Sequence, residues 1–162
     1  MKLAIGSDKS GYNAKEAIKA WLMEEGQELG IEFDNLGTTD PDKAMPYVDV
    51  ANLVAPLVQN GTYDRAVLIC GTGAGMNIVA NKYKGVHAVA CEGLYSARMA
   101  RAINGANVLC MGGWIVGPEM AIEMVRAFLN TAWCQDLEDW RAVNMHKFAA
   151  KVSAIEDGVY GG

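Results

Sequence analysis

The chain has 162 residues, 51% of them hydrophobic and 20% charged, with a formal net charge of −5. That is enough apolar side chain for a real core but length for one domain of roughly 100–200 residues and little more. An acidic balance excludes the broad basic surface that duplex nucleic acid demands, while leaving room for a local site for one small anion.

Short apolar runs alternate with segments of helical period, the pattern of βαβ units and a parallel sheet. The first strand is expected at Lys2–Gly6. A helix from Gly11 to Glu25 follows, with Ala14, Ile18, Trp21 and Leu22 on one face and Gly26 to stop it. The second strand is Glu32–Leu36. The helix after Pro46 runs through Val50, Val54 and Leu57 to Asn60-Gly61, with Pro56 expected to kink or shorten it. Strand three, Arg65–Cys70, opens a glycine loop that starts a third helix. Strands at His87–Cys91 and Asn107–Met111 bracket a helix over Tyr95–Ile103, and a fifth helix starts at Pro118 and ends near Leu129. Past Ala132 a polar segment leads to a helical stretch from Trp140 to Ile155, a tail suited to packing on a second subunit. The expected fold is a Rossmann-like three-layer α/β/α domain over residues 1–162, with a five-stranded parallel sheet in the core (1–132) and a C-terminal helical tail (133–162).

In open parallel sheets ligands bind beyond the carboxyl ends of the strands, so the strand ends carry the chemistry. After strand one comes Gly6-Ser7-Asp8-Lys9-Ser10-Gly11. After strand three comes Cys70-Gly71-Thr72-Gly73-Ala74-Gly75-Met76-Asn77, and after strand four Cys91-Glu92-Gly93-Leu94-Tyr95. Alternate glycines let backbone N–H groups of Gly71, Gly73, Ala74 and Gly75 converge on an anion, as for phosphate or an oxyanion. The same loop reads also as a plain tight turn, or, with Glu92 about twenty residues on, as a departure from the dinucleotide pattern. Cys70 at a helix start is either a thiol of lowered pKa, able to act as base or nucleophile, or a small core hydrophobe. Cys91, Cys110 and Cys134 read as core filler. Asp8 and Lys9 are a hydroxyl-binding carboxylate beside a phosphate cation, or a helix cap and a solvated charge. The two histidines, His87 and His146, stand in no metal-ligand spacing, so no metal or other cofactor is expected. With no Cys-x-x-Cys pair, no signal-like start and no run near the ~18 apolar residues of a membrane span, a cytoplasmic protein without membrane contact is expected.

Taken together these residues resemble the ribose-5-phosphate isomerase B and galactose-6-phosphate isomerase family. The resemblance is carried by Gly6-Ser7-Asp8, Ile69-Cys70-Gly71-Thr72-Gly73-Ala74-Gly75-Met76 with Ala80-Asn81-Lys82, Tyr95-Ser96-Ala97-Arg98-Met99, Asn104, Ala106-Asn107-Val108-Leu109 and Val116-Gly117-Pro118-Glu119. It implies a metal-independent aldose–ketose isomerase of phosphorylated sugars, a dimer or tetramer with active sites shared across the dimer interface. Cys70 would be the base that forms a cis-enediolate. Gly71, Gly73, Ala74 and Gly75 would hold the oxyanion. Thr72 and Asn104 match positions that contact the sugar, Asp8 one that binds its hydroxyls, and Tyr47, with an offset of one residue, a tyrosine beside it.

The departures carry information. Lys9 stands where the family commonly has a histidine on the phosphate. Ile103 stands where many members have the histidine credited with opening the sugar ring, and isoleucine transfers no proton. The family's C-terminal phosphate arginines are not matched, which leaves Arg141, Lys147 and Lys151 as substitutes or as a solvated helix face. Loss of the ring-opening group implies a substrate with no ring, such as a tetrose phosphate, with Glu92 as an alternative proton carrier. The competing reading is a half-competent sugar-phosphate-binding subunit of a hetero-oligomer completed by a paralogous chain.

Overall fold

The structure, a computed structural model, describes residues 1–161. Its elements are β1 (Lys2–Ser7), α1 (Tyr12–Glu25), β2 (Glu32–Gly37), a 3-10 turn (Pro41–Lys43), α2 (Tyr47–Gln59), β3 (Arg65–Cys70), α3 (Ala74–Ala80), β4 (Ala88–Ala90), α4 (Leu94–Asn104), β5 (Val108–Gly112), α5 (Pro118–Asn130) and α6 (Asp139–Tyr160). All strand pairs are parallel and the order is β2-β1-β3-β5-β4. This is the three-layer Rossmann-like arrangement expected from the alternation of strands and helices, with a C-terminal helix.

The strands are apolar on both sides because both faces of the sheet are covered. Leu3, Ile5, Val67, Ile69, Leu109 and Met111 pack under α1, α4 and α5, with Phe128 and Met124 fully buried among them. Their alternates Ala4, Ala66, Leu68, Cys70, Val108 and Cys110 pack under α2 and α3. Arg65 at the start of β3 closes the far end of α5. Its guanidinium donates to the carbonyls of Phe128 (2.5 Å) and Leu129 (3.0 Å), the favourable place for a cation at a helix C-terminus. Burial, with Arg101 nearby, holds its pKa down at about 10.

Three expectations change. Pro56 sits inside α2 without shortening it, since the helix runs on to Gln59. The N–H it lacks would have served the carbonyl of Asn52, a solvent-exposed residue whose carbonyl water can reach. The tail helix continues through Gly158 to Tyr160, because Lys84 pairs with Asp157 (2.7 Å) and the Tyr160 hydroxyl donates to the Asn81 carbonyl (3.2 Å). Lys15, on a helix whose buried face was read as apolar, is itself completely buried, its Nζ donating to Glu16 (2.8 Å) and Asn35 (2.7 Å).

One topological feature positions the site. The chain leaves β1 toward β2 on one side and leaves β3 toward β4 on the other, so the strand order reverses between β1 and β3. A crevice opens at that point beyond the carboxyl ends of the two strands.

Candidate active site

The crevice is a cleft of about 300 Å³ whose lining includes Asp8 and Ser10 from the loop after β1, Cys70, Gly71, Thr72 and Gly75 from the loop after β3, Tyr47 at the start of α2, and Trp114 after β5. Six residues predicted from sequence, Asp8, Tyr47, Cys70, Gly71, Thr72 and Gly75, thus meet in one place. Gly73 and Ala74 complete the same loop, Gly73 with φ +80° and Ala74 as the first residue of α3.

Cys70 ends β3 in register with Gly112 of β5, only 5% exposed, and its Sγ accepts the Gly73 N–H at 3.1 Å. The left-handed backbone of Gly73 turns that N–H back onto the sulfur, and a Cβ there would meet the Met111 backbone at 2.9 Å. Gly71 and Gly75 are glycines for a different reason: a Cβ on Gly71 would come within 2.8 Å of the Trp114 ring, and one on Gly75 within 2.6 Å of the Tyr47 ring. Two aromatic side chains therefore rest directly on the loop that carries the thiol. Of the other cysteines, Cys91 and Cys110 fill the core as expected, whereas Cys134, in the segment before α6, is only partly buried and lies outside both core clusters. Burial pushes the Cys110 thiol far above its ordinary value and raises that of Cys91, so both stay protonated.

Asp8 lines the cleft and is not the cap of α1, whose N-cap is Gly11 without a side-chain bond. Its Oδ1 accepts the N–H groups of Ser10 (2.8 Å) and Gly11 (3.1 Å), tying down the entry to α1, while the residue lines the cleft. Lys9 is exposed and does not line it. Glu92 lies on the same sheet edge but beyond β4, with β5 between it and Cys70.

Asn104 is in a different place. It ends α4, which starts at the carboxyl end of β4 and returns to the opposite edge, so the length of β5, roughly 15 Å at ~3.3 Å per residue, separates it from the Cys70 loop. There Ile103 and Asn104 line a second cavity of about 390 Å³ with His87, Trp133 and the α6 residues Met145 and Phe148. Arg141, Lys147 and Lys151 are exposed on α6. Arg141 falls one turn before Met145 on the stripe that faces this cavity, whereas helical spacing puts Lys147 on the far side. Among the described residues no three His, Cys, Asp or Glu side chains gather as a metal set, and no helix is long and apolar enough to cross a membrane.

Ser10 and Trp114 were not singled out from the sequence. The strand-end rule that found the other loops applies equally to Gly112-Gly113-Trp114, which follows β5.

A family model described as Ribose/Galactose Isomerase matches residues 3–145. The chain belongs to the ribose/galactose isomerase family. It is 46% identical over 160 residues to a 4-deoxy-4-sulfo-D-erythrose isomerase of Clostridium sp. (strain MSTE9), covering 99% of this chain and 98% of that protein. It is 41% identical over 130 residues to D-erythrulose-4-phosphate isomerase 2 of Mycolicibacterium smegmatis, covering 80% and 84% of the two chains. Among solved structures, ribose-5-phosphate isomerase B of Clostridium thermocellum superposes with a TM-score of 0.82 at 35% identity over 98% of this chain and 99% of that one. As a member of the ribose/galactose isomerase family the chain is an enzyme of the sugar-phosphate isomerase class.

Proposed function

We propose that this enzyme interconverts the aldose and ketose forms of a four-carbon sugar that carries its anion on C4, with Cys70 as the base. The supporting observation is the pairing of an intact Cys70 loop with isoleucine at position 103. A sugar whose C4 carries a phosphate ester or a sulfonate has no free C4 hydroxyl to close a five-membered ring, so it needs no ring-opening acid. Cys70 removes the proton from C2 of the aldose. The electron pair forms the C1–C2 double bond of a cis-enediolate, the O2 proton passes to O1, and the carbon-bound proton returns to C1 as C2 becomes the ketose carbonyl. Backbone N–H groups of Gly71, Ala74 and Gly75 face the developing oxyanion, in a site where such preorganised donors count most. Asp8, through its second carboxylate oxygen, and Thr72 hold the substrate hydroxyls.

Of the two C4 anions that relatives' names contain, the sulfonate is favoured by how far the likeness reaches. Identity to the sulfo-erythrose isomerase runs through α6, the helix that bears Arg141, Lys147 and Lys151, whereas the match to the erythrulose-phosphate isomerase covers 80% of this chain. A substrate panel tests the reading. Wild-type kcat/KM is expected to be higher for 4-deoxy-4-sulfo-D-erythrose and for D-erythrulose 4-phosphate than for ribose 5-phosphate. A preference for the cyclic pentose phosphate overturns it.

The active assembly proposed is a homodimer with shared sites. Within one chain Asn104 cannot reach a substrate held at Cys70, and α6 leaves Trp140, Val143, Phe148, Ile155 and Val159 more than half exposed. A second copy that lays its Asn104 end and α6 against the Cys70 cleft satisfies both. Turnover by the isolated chain separates this from a site completed by a paralogue.

A further inference from the structure

Trp114 stands at the mouth of the Cys70 cleft with 74% of its surface open. An indole left this exposed adds little to the core, yet its place is firmly set by backbone. The Gly113 N–H donates to the Cys70 carbonyl at 2.7 Å and the Trp114 N–H to the Gly71 carbonyl at 3.1 Å. Gly112 and Gly113 lie so close to the neighbouring loops that a Cβ would come within 2.8 Å of Thr72 and 2.4 Å of the Ser10 carbonyl. The chain leaving β5 therefore has room for its first side chain only at residue 114. That side chain lies over Gly71, while the Tyr47 ring covers Gly75 across the loop. Trp114 also lines a neighbouring cleft of about 260 Å³ with Asn13 and Pro118, which makes the indole the wall between the two.

The geometry points to Trp114 as a substrate-positioning residue whose indole packs on the C–H face of the sugar's carbon chain, opposite Tyr47, and keeps the proton-bearing carbon against Cys70. The inference rests on the isomerase reading of this cleft. Of the side chains that line the cleft only Asp8 is charged, so beyond the hydroxyl contacts of Asp8 and Thr72 the aromatic walls hold the sugar by shape and apolar contact. A rigid aromatic face supplies a large contact area with few torsions to freeze.

Trp114→Ala and Trp114→Phe test this. Trp114→Ala is expected to lower kcat/KM for the four-carbon substrate on the order of 10- to 100-fold, the range a misplaced reacting group costs. The loss should fall on kcat as well as KM, since a carbon no longer held against Cys70 reacts more slowly once bound. Trp114→Phe should recover most of it, with thermal midpoints unchanged because the side chain is not in the core. An independent readout uses Cys70→Ala as a non-turning-over background. There D-erythrulose 4-phosphate should quench a component of the tryptophan fluorescence that Trp114→Phe removes. A kcat/KM within twofold of wild type for Trp114→Ala, with the quench intact, overturns the inference. So does a loss of activity that tracks dissociation of the assembly on size-exclusion chromatography, which makes the indole an intersubunit contact. If the wild type turns over no sugar anion, the isomerase reading of the cleft fails, and the quench by itself still decides whether Trp114 faces the bound ligand.

Discussion

Cys70 differs from the other three cysteines in surroundings rather than in chemistry: it lines the cleft and its sulfur meets the Gly73 N–H, while Cys110 is completely enclosed. Iodoacetamide at neutral pH is therefore expected to modify Cys70 in step with loss of activity, with substrate protecting it. Cys91 and Cys110, whose thiols burial holds protonated, should remain unmodified in the folded enzyme. Peptide mapping checks this, and modification of Cys110 before Cys70 would contradict the site described here. Tyr63 offers a second test away from the site. It is buried and donates to Asp34 at 2.8 Å, and burial followed by that carboxylate pushes its pKa up from 10.0 to about 12. The folded chain keeps this phenol proton at a pH where the unfolded chain has lost it. The stabilisation is complete below pH 10 and disappears as pH rises to about 12. Of the six tyrosines Tyr63 should ionise last in an absorbance titration, and Tyr63→Phe should remove that final step.

At the scale of elements, the loop between β3 and α3 depends on glycine for two separable reasons. Gly73→Ala forces an L residue to φ +80° against the Met111 backbone and is expected to cost about 1–3 kcal/mol of stability. Gly71→Ala and Gly75→Ala meet side-chain rings instead, and rings can move. Those variants should stay folded while losing roughly tenfold or more in kcat/KM, since small displacements at the reacting centre are costly. Denaturant unfolding and initial rates measured on the same preparations distinguish the two classes. What the sequence made legible here was local. Strand ends, alternate glycines and the caps around Pro118 are read from neighbouring residues, and they located Cys70, Thr72 and Asp8 correctly at one sheet edge. The role of Trp114 was not legible, because it depends on β5 lying beside β3 with Gly112 opposite Cys70, a pairing between residues far apart in the chain. Lys15 was hidden for a related reason. Helical period assigns a lysine to solvent, and its burial is made tolerable by Glu16 beside it together with Asn35, which only the folded sheet brings near. The full length of α6 likewise depends on distant partners, Lys84 and Asn81.

For the whole molecule, Cys70 and Asn104 lie at opposite sheet edges, and the proposed shared site makes assembly part of the chemistry. Sequence likeness put both residues in one site, and only the strand order shows that a single chain holds them at opposite edges. Mixed oligomers provide the check. Cys70→Ala and Asn104→Ala homo-oligomers are each expected to be severely impaired. Denatured together and refolded at equal amounts, they should regain roughly a quarter of wild-type activity, because half the random dimers are mixed and each mixed dimer holds one intact site. Absence of any recovery would contradict shared sites.

The proposed Cys70-dependent proton transfer at C2 of a four-carbon sugar anion can be followed by ¹H NMR of D-erythrulose 4-phosphate and 4-deoxy-4-sulfo-D-erythrose in D₂O with wild-type and Cys70→Ala enzyme. Wild type should convert aldose and ketose into one another with solvent deuterium entering at the carbon that receives the proton. Cys70→Ala should be slower by about 10²–10⁴-fold in both conversion and exchange, the size of a lost general base. Exchange by Cys70→Ala at the wild-type rate would contradict the account.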